Sequence, residues 1–208
     1  MSILNKFDLT GRVALITGGG TGIGKGCAIA LAQAGASVMI VGRRMEKLLE
    51  VQREIEAVGG ICACHSADLM LEENCRLTVE ACMKQFGRLD ILINSAGGRG
   101  AHGNLTEEFS TENFTHTMQM DFDSTFYCIK YAYPECAKNG VGSIINIASL
   151  AALRASGPIV YSAAKGAIKS LSKTLAYRLG DQKIRVNTIY PGFIVTEMTA
   201  HVREMPEQ

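Results

Sequence analysis

The amino-acid sequence predicts a doubly wound α/β fold, in which helices cover both faces of a parallel sheet. Short apolar runs alternate with helical patterns along the 208 residues, and such runs are typical of parallel strands that are buried on both sides. A glycine-rich turn, Thr17–Gly24, lies between the first apolar run and the first helical pattern. The length fits one unit, so residues 1–208 are expected to form a single domain.

Six strands and five helices follow from this alternation. The strands are expected at Val13–Thr17, Ser37–Val41, Ile61–His65, Leu89–Asn94, Ser143–Ala148 and Arg185–Ile189. The helices are expected at Gly22–Ala34, Met45–Val58, Glu72–Phe86, Thr111 to about Lys138, and Ser162–Leu179. In an open sheet of this kind, ligands bind beyond the carboxyl ends of the strands. The residues that follow each strand are therefore the candidates for a binding site.

The first strand and the first helix enclose the glycine turn. An apolar run, Val13–Ile16, precedes the turn, and a helical pattern of small residues, Cys27–Ala34, follows it. Glycine allows a positive φ and close backbone approach, and the amides at the start of the following helix can bind a phosphate. The spacing Gly18-x3-Gly22-x-Gly24 differs from the commonest dinucleotide fingerprint, and the turn alone is also consistent with a simple tight connection.

The end of the second strand indicates which cofactor would bind. In dinucleotide folds, an acid at this position accepts the ribose 2′-hydroxyl, whereas a 2′-phosphate requires a cation. Here the position is Gly42, and Arg43 and Arg44 follow it. A guanidinium matches phosphate geometry in bidentate fashion, so NADP(H) is predicted rather than NAD(H), with Arg43 as the main contact. The alternative is that both arginines only cover the start of the next helix in solvent.

The remaining strands also end in polar or glycine residues. Their ends read Asp68-Leu69 after strand three, Asn94-Ser95-Ala96-Gly97 after strand four, Ser149 after strand five and Tyr190-Pro191-Gly192-Phe193 after strand six. Each of these could be turn chemistry on its own. Because the ends of parallel strands meet at one edge of a sheet, one elongated cofactor explains all of them better.

A tyrosine and a lysine four residues apart provide candidate chemistry. Tyr161 and Lys165 share one face of a predicted helix. An ammonium beside a phenol lowers the tyrosine pKa from about 10, which would let Tyr161 exchange a proton with a carbonyl or alcohol oxygen. Ser149, which precedes Tyr161 in the chain, offers a hydroxyl that could hold the same oxygen. Taken alone, the pair is also typical of a solvated helix face.

Composition argues against several other classes of function. The net charge is +1, which gives no electrostatic basis for binding nucleic acid or an anionic membrane surface. No apolar run approaches the roughly 20 residues of a membrane span, and no signal peptide is recognised. The 7 cysteines indicate reduced thiols and a cytoplasmic location. Cys62, Cys64 and His65 are interpreted as part of a strand, and no metal site is predicted.

Together and in order, these motifs resemble those of the short-chain dehydrogenase/reductase family from Gly11 to about Met198. The matching pieces are Thr17-Gly18-x3-Gly22-Ile23-Gly24, Asp68, Asn94-Ser95-Ala96-Gly97, Ser149, Tyr161-x3-Lys165, Ile184-Arg185-Val186-Asn187 and Pro191-Gly192. The resemblance implies a Rossmann-like fold and reversible hydride transfer between a nicotinamide cofactor and a carbonyl or alcohol substrate. It also implies that Tyr161 is the general acid/base, that Lys165 binds the nicotinamide ribose and lowers the tyrosine pKa, and that Ser149 orients the substrate oxygen.

The same resemblance implies which residues contact the cofactor and the substrate. The cofactor contacts would be Gly18, Thr21, Gly22, Ile23, Gly24, Arg43, Arg44, Asp68, Leu69, Asn94, Ala96, Gly97, Tyr161, Lys165, Pro191, Gly192, Ile194 and Thr196. The substrate pocket would be lined by residues 98–105, residues 150–159 and the region after Phe193. The candidate substrates are 3-oxoacyl thioesters, hydroxysteroids and sugars.

One position in the candidate catalytic set departs from the family pattern. The family usually has a catalytic Asn in the helix after strand four, where this chain has Asp121. A carboxylate near Tyr161 would oppose phenolate formation but would keep Lys165 charged. Asp at this position resembles the 2,4-dienoyl-CoA reductase branch, which often lacks the tyrosine present here. Alternatively, the family backbone does much of the water holding at this position and Asp is simply tolerated.

The second departure is length. Family members usually continue for several dozen residues beyond Met198, through a substrate lid, a helix and a last strand, whereas this sequence ends at Gln208. The last strand is therefore expected to be missing, either because the protein lacks the segment or because the sequence is part of a longer chain. Together with Asp121, the short C-terminus leaves a second class open, a catalytically weak dinucleotide-binding sensor or partner subunit.

Self-association is expected through two long helices, Thr111–Lys138 and Ser162–Leu179. Both carry more apolar or small residues than one sheet face needs. These are Phe126, Tyr127, Ile129 and Tyr131 on the first, and Ala163, Ala167, Ile168, Leu171 and Leu175 on the second. An exposed surface of this kind is an interaction patch. The resemblance implies that these helices pair across a two-fold axis, so a homodimer is predicted, or a homotetramer if the chain is longer.

Overall fold

The computed structural model describes residues 6–98, 109–155 and 157–199. Its strands are β1 (Val13–Thr17), β2 (Ser37–Gly42), β3 (Ile61–Ser66), β4 (Ile91–Asn94), β5 (Gly142–Ile147) and β6 (Ile184–Ile189). They form one sheet in the order β3-β2-β1-β4-β5-β6, and every neighbouring pair is parallel. The strand order reverses between β1 and β4, which is where ligands bind in doubly wound sheets.

Helices cover both faces of the sheet. The α-helices are α1 (Gly22–Gln33), α2 (Met45–Glu56), α3 (Glu72–Phe86), α4 (Thr111–Met118), α5 (Ser124–Lys138) and α6 (Ile159–Arg178). A π-helical turn, Gln119–Asp123, joins α4 to α5, and short 3-10 turns lie at Leu150–Ala152 and Gly180–Gln182. The predicted doubly wound α/β fold is confirmed. Within the described ranges, no helix is both long and apolar enough to cross a membrane.

Several predicted boundaries differ from the observed ones by one to three residues, and the differences at β4, at the helix predicted over Thr111–Lys138 and at α6 are the most informative. β4 begins at Ile91 rather than Leu89, because the carboxylate of Asp90 bonds to neighbouring groups at the point where the strand enters the sheet. The helix predicted from Thr111 to Lys138 contains the π turn, which separates α4 from α5. α6 begins at Ile159 instead of Ser162, because Pro158 lacks an N–H and is extended directly before the helix.

Two apolar layers hold the helices on the sheet. Successive side chains of a strand point to opposite faces, and β1 follows this rule. Val13 and Leu15 belong to the layer that also contains buried residues of α3 and α5. Ala14 and Ile16 belong to the layer that contains buried residues of α1 and α2. The first strand is therefore buried on both sides, as its apolar run predicted.

Two residues of the predicted association surface lie in the core instead. Ile129 and Ile168 are both buried. Ile129 shares a helix face with the buried Ala132 and Cys136, and Ile168 lies one turn from the buried Ala164. Residues three, four and seven positions apart lie on one face of a helix, so these two isoleucines belong to the stripes that face the sheet. The surplus of apolar residues on the outer faces is smaller than predicted.

A buried carboxylate fixes the amino ends of β1 and β4. Asp90 is 3% exposed and accepts hydrogen bonds from the Val13 backbone N–H at 2.9 Å, Arg12 at 3.0 Å and Arg88 at 2.6 Å. Burial raises the pKa of Asp90, but the bonds from Arg88, Val13 and Arg12 outweigh burial and leave the pKa below its ordinary value. Asp90 therefore stays ionised at neutral pH and joins the two central strands where they enter the sheet.

Candidate active site

The glycine turn lies where the strand order reverses, between the ends of β1 and β4. Gly18 has a φ of +66°, and a Cβ there would lie 2.7 Å from the carbonyl oxygen of Ser95. The hydroxyl oxygen of Thr17 accepts hydrogen bonds from the backbone N–H groups of Ser95 and Ala96, each at 3.0 Å. Glycine at position 18 is therefore required by the close approach of the two strand ends.

The first turn of α1 presents hydrogen-bond donors to the edge of the sheet. Thr21 precedes the helix with extended backbone and makes no side-chain capping bond, and the first turn contains no acidic residue. The first N–H groups of a helix have no intrahelical acceptor, and together with the helix dipole they attract an anion. A Cβ at Gly24 would lie 2.2 Å from the carbonyl oxygen of Gly18, so Gly24 allows the helix to pack directly on the turn.

Two adjoining cavities run along the carboxyl ends of the strands, with volumes of about 490 Å³ and 240 Å³. The larger cavity is lined by predicted cofactor residues, namely Gly18, Thr21, Arg43, Arg44, Asp68, Leu69, Ala96 and Gly97. The smaller cavity is lined by a second set, namely Gly18, Thr21, Gly22, Ile23, Ala96, Gly97, Ser149, Tyr161, Lys165, Pro191, Gly192, Ile194 and Thr196. The predicted site residues that line neither cavity are Gly24, Asn94 and Asp121.

Asn94 lies in a buried polar ladder and not in a cavity. Its Nδ2 donates to Oδ1 of Asn146 at 2.9 Å, and Nδ2 of Asn146 donates to the Ser172 hydroxyl at 2.9 Å. The Ser172 hydroxyl donates in turn to the carbonyl oxygen of Ile168 at 2.7 Å. The side chain of Asn94 therefore joins β4, β5 and α6, and its predicted contact with the cofactor stays a prediction.

Ser149 and Tyr161 meet at the smaller cavity. Ser149 follows β5, and its hydroxyl oxygen accepts a hydrogen bond from the backbone N–H of Ala151 at 3.1 Å. The side chain of Tyr161, in the first turn of α6, lines the same cavity as Ser149, and the serine hydroxyl acts to lower the pKa of the phenol. Two hydroxyl groups from different elements therefore lie side by side at the wall of one cavity.

Lys165 and Asp121 form a buried ion pair next to Tyr161. Nζ of Lys165 is 3.2 Å from Oδ1 of Asp121, and the two side chains are 5% and 0% exposed. The backbone N–H of Gly98 donates to the same carboxylate oxygen at 3.0 Å, and a Cβ at Gly97 would lie 2.8 Å from it. Nζ of Lys165 also lies 5.5 Å from the centre of the Tyr161 ring. The ammonium thus faces a carboxylate and a phenol ring at the same time.

The pKa of Tyr161 is raised, whereas the spacing of Tyr161 and Lys165 predicted a lowered value. Burial is the largest cause; the hydrogen bond with Ser149 acts against it, and the negative charge of Asp121 adds to it. Burial also raises the pKa of Asp121, although the Lys165 ammonium, the Gly98 N–H and His116 act in the opposite direction. The prediction was wrong because burial of the phenol disfavours the phenolate, and the negative charge of Asp121 adds to that effect.

The two arginines after β2 have different surroundings. Nη2 of Arg44 forms an ion pair with Oε2 of Glu197 at 2.7 Å. Arg43 is exposed and, within the part of the chain that the structure describes, makes no ion pair. Both arginines line the larger cavity. Their side chains therefore border the space where a cofactor was predicted, and one of them already has an anionic partner.

Thr17 and Glu197 have roles in the site that sequence reasoning missed. Thr17 could have been found, because a polar residue ends an otherwise apolar strand directly before the glycine turn. Glu197 offers no such signal, because its partner Arg44 lies 153 residues earlier in the chain and neither residue belongs to a pattern that links them. Long-range contacts of this kind require the folded structure.

Part of the predicted substrate pocket, residues 99–105, lies outside the described residues, as does residue 156. In the regions that the structure covers, no group of three or more His, Cys, Asp or Glu side chains is arranged to hold a metal ion. Cys62 is buried in β3, and burial together with the nearby Cys64 and Glu56 raises the pKa of its thiol to about 12. The thiol of Cys64 donates to Oε1 of Gln52 at 3.2 Å.

Comparison with known proteins gives consistent matches over nearly the whole chain. A family model described as short chain dehydrogenase matches residues 12–207. The chain is 38% identical over 201 residues to a cyclohexanol dehydrogenase of Acinetobacter sp. (strain SE19), a match that covers 96% of this chain and 79% of that protein. It is 35% identical over 207 residues to the rhamnolipids biosynthesis 3-oxoacyl-(acyl-carrier-protein) reductase of Pseudomonas aeruginosa, which covers 97% of this chain and 80% of that protein.

A solved structure supports the same relationship. The active-site complex of Pseudomonas aeruginosa RhlG with NADP superposes with a TM-score of 0.88 at 33% identity, covering 96% of this chain and 79% of that chain. The family model covers far more than half of the sequence, and the resemblance in motifs is thereby confirmed. The chain belongs to the short-chain dehydrogenase/reductase family of oxidoreductases.

Proposed function

We propose that this protein is an NADP(H)-dependent oxidoreductase that transfers a hydride between the cofactor and a small-molecule carbonyl or alcohol. One observation carries the proposal. Ser149, Tyr161 and Lys165 meet at the smaller cavity, and that cavity adjoins a larger one that extends from the glycine turn to Arg43. A reactive end and an anion-binding end therefore belong to one elongated cleft, in a single domain that binds the cofactor and carries the chemistry.

The residues along the cleft fit a dinucleotide. The backbone at Gly18 can approach a ligand closely because no Cβ intervenes, and the start of α1 offers amide donors with no acidic side chain in its first turn. Such an arrangement suits a pyrophosphate. When bound, the nicotinamide cofactor would supply or accept the hydride. The task of the protein is then to orient the substrate oxygen and to move one proton.

Tyr161 and Ser149 are assigned to the substrate oxygen. Both side chains line the smaller cavity, so an oxygen atom held between them can bond to both hydroxyl groups. In carbonyl reduction, the phenol of Tyr161 gives its proton to the oxygen, and in alcohol oxidation the phenolate takes it back. The pKa of Tyr161 is raised, so the phenol is protonated at neutral pH and can donate its proton in carbonyl reduction.

Lys165 is assigned to the nicotinamide ribose, and Asp121 is assigned to hold Lys165 in place. The carboxylate contacts Lys165 at 3.2 Å but lines neither cavity, so Asp121 is a positioning residue rather than a group that touches the reactants. Its negative charge also raises the pKa of Tyr161. That effect favours a second candidate function, a dinucleotide-binding protein with weak catalysis.

The substrate is proposed to be a largely apolar ketone or secondary alcohol. The relatives named cyclohexanol dehydrogenase and 3-oxoacyl-(acyl-carrier-protein) reductase both suggest this class. Ile194 and Met198 line the smaller cavity and are partly exposed, which gives the cleft an apolar margin. The presence of Tyr161 beside Ser149 at this cavity supports carbonyl chemistry over a reaction of the 2,4-dienoyl-CoA reductase type.

A reducing compartment such as the cytoplasm is the proposed location. All 7 cysteines lie in the described part of the chain, and each is a free thiol. Free thiols are usual in cytosolic proteins and unusual in secreted ones. A gel shift of the protein purified from cells under non-reducing conditions, relative to a reduced sample, would contradict this location.

Replacing Tyr161 with Phe should abolish most of the catalysis. We expect Tyr161→Phe to lower kcat for NADPH-dependent reduction of cyclohexanone by about 10²–10⁴-fold, the typical size of general acid catalysis, with little change in NADPH affinity measured by fluorescence titration. Tyr177→Phe, at a side chain that is 90% exposed on the same helix, is the control. Full activity of Tyr161→Phe would contradict the assignment.

A second measurement separates the two candidate functions. NADPH binding by the unmodified protein without turnover of a panel of carbonyl compounds would favour the weakly catalytic alternative.

Replacing Asp121 with Asn should shift the pH dependence of alcohol oxidation to lower pH. The substitution removes the negative charge that raises the pKa of Tyr161 and leaves the positive charge of Lys165 unopposed, and both changes favour the phenolate. The inflection in the kcat–pH profile that reports formation of the phenolate should therefore move to lower pH. Asp123→Asn, in the same π turn, removes an equal charge and is the control. An unmoved inflection with reduced activity would indicate a purely structural role for Asp121.

Replacing Arg43 with Ala should weaken the use of NADPH selectively. Hydrogen bonds to a charged group contribute about 1.5–3 kcal/mol, which corresponds to about 10- to 100-fold in the Michaelis constant for NADPH. The constant for NADH should change little, because that cofactor has no 2′-phosphate. Arg53→Ala, an exposed arginine of α2, serves as the matched control. An unchanged constant for NADPH in Arg43→Ala would remove Arg43 from the cofactor contacts.

Self-association is proposed to use the outer faces of the helices predicted at Thr111–Lys138 and Ser162–Leu179. Phe126 is exposed on α5, where its ring packs edge-on against Tyr127 at 5.6 Å, and Ala163 is exposed on α6. We expect light scattering at micromolar concentration to give the mass of a dimer, or of a tetramer. Phe126→Arg should shift the mass toward the monomer. A monomer in the unmodified protein would rule this interface out.

A further inference from the structure

An ion pair between distant parts of the chain lines the larger cavity. Nη2 of Arg44, directly before α2, lies 2.7 Å from Oε2 of Glu197, in the segment after β6. The two side chains are 52% and 55% exposed, so solvent and ligands can reach both. Both residues line the larger cavity. The pair therefore occupies the margin of the space that the proposed cofactor would enter.

Two of the three cations that line this cavity have an ion-pair partner in the described part of the chain. The cations are Arg43, Arg44 and Lys47. Nζ of Lys47 pairs with Glu50 at 2.9 Å and Arg44 pairs with Glu197, whereas Arg43 has no ion-pair partner in the described ranges. The Arg44 guanidinium holds the pKa of the Glu197 carboxyl below its usual range. Glu197 is therefore an anion at neutral pH and already binds one of the two guanidinium groups next to β2.

The carboxylate is brought to this place by a hydrogen-bonded turn. The hydroxyl of Thr199 donates to the carbonyl oxygen of Ile194 at 2.7 Å and accepts from the Thr196 backbone N–H at 2.9 Å. A Cβ at Gly22 would lie 3.1 Å from Cγ2 of Thr196, so the turn packs against the start of α1. The position of Glu197 beside Arg44 follows from the backbone of this turn as well as from the ion pair.

We infer that Glu197 determines cofactor specificity by competing with the 2′-phosphate of NADP(H) for Arg44. The inference rests on the proposed function, because it assumes that a dinucleotide occupies the cleft. A phosphate that approaches Arg44 must displace the carboxylate or lie beside it, and two anions in contact repel each other. A nucleotide with a free 2′-hydroxyl meets no such cost. Glu197 thus reduces the preference for a 2′-phosphate that the two arginines would otherwise give.

Calorimetric titration with two nucleotides tests this inference without relying on turnover. Adenosine 2′,5′-bisphosphate carries the 2′-phosphate, and adenosine 5′-monophosphate lacks it. We expect Glu197→Gln to bind the 2′,5′-bisphosphate about 3- to 10-fold more tightly than the unmodified protein, in line with the small energies of exposed ion pairs, and to bind the 5′-monophosphate equally well. Glu54→Gln is the matched control, because it removes the same charge from an exposed ion pair, Lys25–Glu54, whose two residues line neither cavity.

The possible outcomes separate this inference from the proposed function. Unchanged 2′,5′-bisphosphate affinity in Glu197→Gln would overturn the inference and leave the proposed function standing. Weaker binding of both nucleotides would also overturn it, since the ion pair would then close the cleft over any cofactor. Failure of the unmodified protein to bind either nucleotide would overturn both. In an Arg44→Ala background, Glu197→Gln should change the 2′,5′-bisphosphate affinity by less than about twofold, because the contested guanidinium is gone.

Discussion

The buried ion pair between Lys165 and Asp121 is the contact on which the arrangement of the site depends. It joins α6, the π turn and the Gly97–Gly98 backbone after β4. A buried ion pair adds little net folding stability, because the cost of removing two charges from water offsets their attraction. Removing one partner is nevertheless strongly destabilising, because it leaves the other charge buried without compensation. The pair therefore favours one relative position of these three segments, and Tyr161 lies one helical turn from Lys165 in that arrangement.

Hydrogen bonds at both ends of the sheet support this arrangement. Asp90 joins β1 and β4 where they enter the sheet, and the ladder from Asn94 through Asn146 to Ser172 joins β4, β5 and α6 near their other end. Apolar layers alone tolerate small rotations of a helix on a sheet. Ser172 lies about two helical turns beyond Lys165. Its hydrogen bond to Asn146 therefore opposes rotation of α6 about its own axis, which apolar packing alone would allow. The Thr17 hydroxyl similarly fixes the end of β1 against β4.

Most of the fold and much of the site could be predicted from the sequence, because strands, glycine turn and helices follow from local patterns. The raised pKa of Tyr161 could not be predicted, because it depends on burial of the phenol and on the charge of Asp121, which lies in another helical segment. The π turn could not be predicted either, because Gln119–Asp123 contains no glycine or proline that would mark an interruption of the helix. Asn94 was expected to reach a ligand because it ends a strand, but its side chain points along the sheet to Asn146. Glu197 depends on a contact that no local pattern encodes.

The absence of side chains at positions 97 and 98 has a consequence for how this chain can vary. Asp121 fills the space beside Gly97, and the sulfur of Met120 lies where a Cβ at Gly98 would stand. The loop after β4 and the π turn therefore pack directly against each other, and a change in the side chains of one requires a change in the other. A side chain at position 97 would meet both Asp121 and Lys165. A loop or helix transferred from a relative therefore has to bring both segments together.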